Sequence, residues 1–208
     1  MPAVAERLDS PPALDPGWEQ REDHIILLGG VTWSRYLGLL RSRGERALPR
    51  MAWSEGVLEL MSPSFDHENV AGLIGRLLER WCEERGIPVN RLKSWTVRRQ
   101  TVRRGAEADE CYTFGSARKK IPDLVLEVVW THGGLDKLEV WRPLGVPEVW
   151  IWEAGALVVW CLEGGRYVSS PRSRQLPDLD VALLARFSTE LDQSAAVRAF
   201  LKASAPPV

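Results

Sequence analysis

Two carboxylates, Asp123 and Glu127, interrupt an otherwise apolar run in residues 121–141, IPDLVLEVVWTHGGLDKLEVW, and a turn and a lysine follow. Leu124, Val125, Leu126, Val128 and Val129 have the β-branched and aliphatic character of a strand covered on both faces. A carboxylate in that setting is strongly unfavourable unless it is paired, hydrogen-bonded or bound to a cation. The expectation is therefore an acidic site with a metal ion as its partner. Asp123 and Glu127 share a strand face, but at ~3.3 Å per residue their Cα atoms lie roughly 13 Å apart, too far to share one ion directly. The second ligand for an ion at Glu127 must come from a neighbouring strand, and the start of the preceding segment, EADECYTF (107–114), offers Asp109. Magnesium prefers carboxylate and carbonyl oxygens and keeps several waters, which suits two carboxylates and a backbone carbonyl. A nearby lysine would orient water or stabilise charge developing on a phosphate.

The elements that must position these groups are legible from spacing. Thr32 can cap a short helix through Leu40, with Gly44 ending it. Residues 51–61 read as a hairpin around Glu55 and Gly56. Residues 66–85 form the strongest helix, with Val70, Leu73, Ile74, Leu77, Leu78 and Trp81 at helical spacing and Gly86 as its stop. That helix opens on Asp66, His67 and Glu68, which leaves two readings open. The acids suit a helix N-terminus through its dipole, or His67 and Glu68 face the acidic site. Residues 89–104 read as extended and basic, with Arg91, Lys93, Arg98, Arg99, Arg103 and Arg104 around Trp95 and Val97. This is either a solvated strand face or a phosphate-contacting surface beside an active site. Residues 107–114 read as one strand and 135–141 as a short helix that Pro143 interrupts. Residues 147–153 form a further strand, and residues 156–169 a hairpin about Gly164-Gly165. Helical pieces close the domain after residue 177.

The 208 residues suit one domain, expected over residues 21–202, with a proline-rich mobile arm at 1–20 and a loose tail at 203–208. A formal net charge of −1 excludes a broad electrostatic pull toward nucleic acid or an anionic membrane, so any such binding is local. No apolar run is long enough to span a bilayer, and a cytoplasmic location is the default expectation. Cys82, Cys111 and Cys161 lack the paired spacing of a zinc site and read as buried free thiols.

An Asp near the start of one strand followed by a Glu on the next and a lysine resembles the PD-(D/E)XK restriction endonuclease-like nucleases. Five motifs narrow the resemblance to a large bacterial branch, the Uma family: LELMSPSFDHE (58–68), EADECY (107–112), PDLVLEV (122–128), DKLEVW (136–141) and GVPEVWIW (145–152). The resemblance implies an α/β domain with a central mixed sheet flanked by helices. It also implies a magnesium- or manganese-dependent endonuclease that hydrolyses phosphodiester bonds, with DNA as the expected substrate. Asp109 and Glu127 would be the metal ligands and Lys137 the catalytic lysine. Two departures stand out. Ala108 replaces the proline of the first PD pair, and Val129 stands where many relatives carry the lysine, a role passed to Lys137 on the following helix. Asp123, in the second PD pair, is the alternative ligand, and Lys137 has the plainer reading of a surface lysine beside Asp136. The alternative function is a catalytically silent nucleic-acid- or partner-binding module on the same fold. Homodimers are common among such folds.

Overall fold

Glu55 and Gly56 take positive φ angles of 50° and 89°, the left-handed pair that lets a two-residue turn follow the twist of its strands. In this computed structural model, which describes residues 22–92 and 95–205, that turn joins β2 (Arg50–Ser54) to β3 (Val57–Ser62) in antiparallel register. The expected N-terminal arm and Lys93 lie outside the described residues. β1 (His24–Leu28) adds to the far edge of β3. Beyond β2 come β6 (Arg104–Glu107) and β5 (Thr96–Arg99), completing a five-stranded sheet in the order β1-β3-β2-β6-β5. The helix α1 (Trp33–Arg43), capped by Thr32 and closed by Gly44, covers it through Trp33, Tyr36 and Leu40.

The second sheet is the expected mixed one. It contains β4 (Val89–Arg91), β7 (Glu110–Phe114), β8 (Leu124–Val129), β9 (Glu148–Glu153), β10 (Ala156–Glu163) and β11 (Arg166–Ser170), in the order β11-β10-β9-β8-β7-β4. β8 and β9 are parallel and the other pairs antiparallel. A parallel pair needs a crossover, and here it carries the short helix α3 (Lys137–Trp141). The long helix α2 (Phe65–Glu84) lays Val70, Leu73, Ile74, Leu77 and Trp81 on one face of this sheet beside α4 (Val181–Arg186) and α5 (Gln193–Ala203). Each such fully buried aliphatic side chain stabilises the fold by about 1.5–3 kcal/mol. On the opposite face, Val125 and Val149 pack with Val140, Trp141 and Leu144 of the crossover and with Ala106 and Ala108. Cys82, Cys111 and Cys161 are buried and free.

Two stretches read as continuous in sequence are divided. Residues 107–114 are not one strand: β6 ends at Glu107 in the first sheet and β7 begins at Glu110 in the second. The chain changes sheet at Ala108–Asp109, the kind of corner that lets one chain serve two packed sheets. Residues 89–104 divide likewise, β4 pairing with β7 and β5 with β6. Periodicity reports which faces are buried, and it is silent about which sheet buries them.

Candidate active site

Alternation along β8 decides which side chain reaches the site. Leu124, Leu126 and Val128 pack toward α2, so Val125 and Glu127 face the crossover and the first sheet. Glu127 is 2 % exposed. Its Oε1 accepts a hydrogen bond from Trp141 Nε1 at 2.8 Å, and its Oε2 lies 3.4 Å from Lys137 Nζ. Both partners come from α3, whose N-cap Asp136 accepts from the Glu139 amide. Four residues apart, they lie on one helical face.

Lys137 has a second carboxylate partner. Glu59 of β3, 3 % exposed, places Oε1 3.0 Å from Nζ, and its Oε2 accepts from the Leu135 amide at 2.6 Å. Gly134 makes this close approach possible, because a Cβ there would stand 2.5 Å from Glu59 Oε2. The turn after β8 therefore rests against a strand of the other sheet.

Asp109 sits at the corner between β6 and β7 and is 1 % exposed. Its Oδ2 accepts from the amide of Val128, the residue after Glu127, at 2.7 Å. Its Oδ1 meets Arg50 Nη1 at 2.6 Å and His67 Nε2 at 3.0 Å. The other ring nitrogen of His67 lies 3.0 Å from Asp23 Oδ2, and Asp23 Oδ1 accepts from the Ser64 amide at 2.8 Å. Arg50 also reaches Glu68 Oε1 through Nη2 at 2.6 Å, bridging the two acids.

Burial opposes every charge in this cluster, and the neighbours decide the outcome. Against burial, His67 and Arg50 hold the Asp109 carboxyl well below its ordinary range. Against burial, Asp109 and Asp23 raise His67 to about 9, which makes it an imidazolium donating from both nitrogens. Glu127 moves the other way: burial and the Asp109 charge push it up to about 7, although Lys137 and Trp141 pull it down. Lys137 is held charged by Glu127 and Glu59 despite its burial. Four buried carboxylates, Asp23, Glu59, Asp109 and Glu127, thus face three cationic groups, His67, Lys137 and Arg50. Glu127 is the member of this set whose ionised form its surroundings favour least.

This donor set fits a hard divalent cation. Asp109 Oδ2 and Glu127 Oε2 each have a single protein partner among the described residues, so each keeps a lone pair for an ion. Among the described residues no group of three or more His, Cys, Asp or Glu side chains is arranged to hold an ion. Two carboxylate oxygens would leave most of an ion's coordination to water, as magnesium prefers.

Two openings flank the acids. One is a cleft of about 460 Å³ lined by Arg43, Arg46, Arg50, Glu68 and Ala108. The other, about 150 Å³, is lined by Glu59, Gly133, Gly134 and Lys137. A larger cavity of about 650 Å³ lies at the far end of β7, among Asn90, Trp95, Arg118 and Lys120. None of the buried acids of the cluster lines it, so the chemistry described here is not there.

Of the residues singled out from sequence, the structure brings Asp109, Glu127, Lys137, His67 and Glu68 together. Asp123 is elsewhere, before the opposite end of β8, where its Oδ2 accepts from the Phe114 amide at 2.8 Å and from Lys119 Nζ at 2.5 Å. Arg98, Arg99 and Arg103 are exposed on the β5–β6 hairpin, and Arg104 pairs with Glu55 at 2.6 Å. Four participants, Asp23, Arg50, Glu59 and Trp141, escaped the reading of the sequence. Glu59 carried a signal, a lone acid between Leu58 and Leu60 in a strand. Arg50 and Asp23 carried none, since their partners are 59 and 44 residues away.

Among the described residues no helix is long and apolar enough to cross a membrane. Comparison with curated proteins gives no match. A family model described as Uma2, putative restriction endonuclease, matches residues 33–194, a span that contains Arg50, Glu59, His67, Asp109, Glu127 and Lys137. Its mixed sheet flanked by helices is that of a restriction endonuclease-like fold. The chain belongs to the Uma2 family of putative restriction endonucleases.

Proposed function

We propose that this protein is a divalent-metal-dependent endonuclease that hydrolyses phosphodiester bonds in nucleic acid, with DNA as its substrate. The observation that carries the reading is the position of Lys137. Its ammonium lies between Glu59 and Glu127, and the amide of Val128, next to Glu127, is bonded to Asp109. A carboxylate pair with an adjoining buried cation is the donor set that phosphoryl transfer requires.

Asp109 and Glu127 would hold the ion, magnesium or manganese, which would supply Lewis-acid stabilisation of the phosphate and a more acidic bound water. The protein's own groups do the rest. Lys137, kept charged by its two carboxylates, orients the attacking water and offsets negative charge on the phosphate. Glu59 and Gly134 fix where that ammonium stands, and Trp141 fixes the Glu127 carboxylate. Arg50 and His67 hold Asp109 ionised and directed. The water oxygen forms a new bond to phosphorus, the ester P–O bond breaks, the water gives up a proton, and the departing oxygen takes one up. The exposed guanidinium groups of Arg98, Arg99 and Arg103, with Arg104 beside them, supply peripheral phosphate contacts.

Cleavage of a DNA substrate in magnesium or manganese tests this. Glu127→Ala should abolish it, because the ion loses a ligand. Lys137→Ala should lower turnover by about 10²-fold or more, the scale for losing one transition-state donor, while metal binding measured by calorimetry persists. Wild-type protein that neither cuts nor binds DNA or RNA in either metal would remove the nuclease assignment.

A further inference from the structure

The two openings beside the acids differ in a way that assigns them different roles. The narrow one, about 150 Å³ beside Lys137, has room for a few waters at ~30 Å³ each, and none for a nucleotide. The cleft of about 460 Å³ on the other side is within the size range of sites that enclose a small organic group. Arg50 lines it and is only 11 % exposed, with its guanidinium already spanning Asp109 and Glu68. A guanidinium has five N–H donors, so these bonds leave others for a ligand in the cleft. On its rim Arg46 is exposed and has no hydrogen-bond partner among the described residues. Phe65, two residues after the cleft-lining Pro63, is 61 % exposed, an unusual position for a large aromatic ring and one that suits base stacking.

Resting on the nuclease reading above, we propose that this cleft is the groove for the cleaved strand, that Arg46 holds a flanking phosphate, and that Arg50 is a second catalytic cation touching the scissile phosphate. Phosphoryl transfer needs attacking and departing oxygens roughly in line on opposite sides of phosphorus. Arg50 lines this cleft and contacts Asp109, whereas Lys137 lines the narrow opening and contacts Glu127, so a strand entering past one and water entering past the other reach different members of the acid pair. The cleft's other charges are balanced: Arg43 pairs with Glu107 and Arg50 with Glu68, which leaves Arg46 beside the exposed Glu45. A divalent cation at Asp109 and Glu127 is then what draws a phosphodiester into it, and oligonucleotide affinity should rise with magnesium.

Steady-state cleavage and fluorescence-anisotropy binding are measured in magnesium with short single-stranded DNA, duplex DNA and RNA. Arg46→Ala should raise KM and Kd several-fold at unchanged kcat, and reduce the salt slope of binding by about one. Arg50→Lys keeps the charge but not the fork that spans two acids, and should lower kcat by about 10²-fold with little change in KM. The lysine variant is used because Arg50→Ala would leave the buried Asp109 without one of its two cationic partners; circular dichroism checks folding. Arg118→Ala, in the distant basic loop, should match wild type. Cutting that is indifferent to both Arg46→Ala and Arg50→Lys would overturn the cleft and leave the nuclease reading standing. An equal loss of affinity in Arg118→Ala would also overturn it, by showing diffuse attraction. Binding lost in Arg46→Ala from a wild-type protein that never cuts would support the groove and remove the nuclease reading.

Discussion

Asp23 shows how much of this site depends on a residue remote from the chemistry. Burial acts against its charge, but bonds to His67 and Ser64 outweigh burial and hold its pKa below the ordinary value of 3.8. A carboxyl with a depressed folded pKa binds protons more weakly folded than unfolded. Its stabilisation is therefore present above that ordinary value and is lost as pH falls through the lower, folded one. Asp23→Asn should cost about 1.5–3 kcal/mol near neutral pH, the scale for hydrogen bonds to a charged group. The gap from wild type should close in strong acid, where the carboxyl is protonated. Urea unfolding at several pH values checks this, and a gap that is constant with pH would show that the charge of Asp23 is not what stabilises. Losing Asp23 also removes the second partner that keeps His67 an imidazolium against Asp109.

At the scale of elements, the site is built on short connections held by buried acids. α3 has only five residues, too few to persist alone in water. It stands because Val140 and Trp141 are buried and because Glu59 binds the turn before it. Gly134→Ala should displace Glu59 or that turn, since the new methyl would stand 2.5 Å from a carboxylate oxygen. Turnover should fall while the global fold, followed by circular dichroism, persists; full activity would show that the Glu59 contact does not position Lys137. A second buried acid plays a purely architectural part. Glu148 of β9, fully buried, accepts from Trp150 Nε1 and Ser173 Oγ at 2.6 Å and from the Arg174 amide at 2.7 Å. It pins the connection between β11 and α4. Glu148→Gln keeps the shape but replaces an acceptor oxygen with a donor, and should cost about 1.5–3 kcal/mol. Limited proteolysis should then cut first near residues 171–177, and an unchanged digestion pattern would refute this role.

For the whole molecule, an ion held as proposed at the buried Asp109 and Glu127 would make metal binding and folding one equilibrium. At free magnesium of about 100 times Kd, selective binding to the folded state adds about 2.7 kcal/mol. For a chain of this size that corresponds to roughly 5–10 °C in Tm. Glu127→Gln should remove most of that rise, and equal thermal shifts in both proteins would argue against Asp109 and Glu127 as the ligands.

The boundary between what was legible and what was not follows the range of the forces involved. Sequence alone determined α2, whose apolar stripe repeats at helical spacing, and the hairpin at Glu55–Gly56, where a two-residue turn suits positive φ. It also marked Glu127 as costly, because an acid amid valines on a doubly covered strand demands a partner. These are local rules, reaching a few residues along the chain. Tertiary structure alone decided that Asp109 stands at a corner between two sheets and not within one strand. It alone decided that Glu59 meets Lys137 across 78 residues, and that Arg50 spans Glu68 and Asp109. Such pairings depend on which strand edges meet once the sheets pack, and hydrophobic periodicity is the same whichever sheet receives the strand.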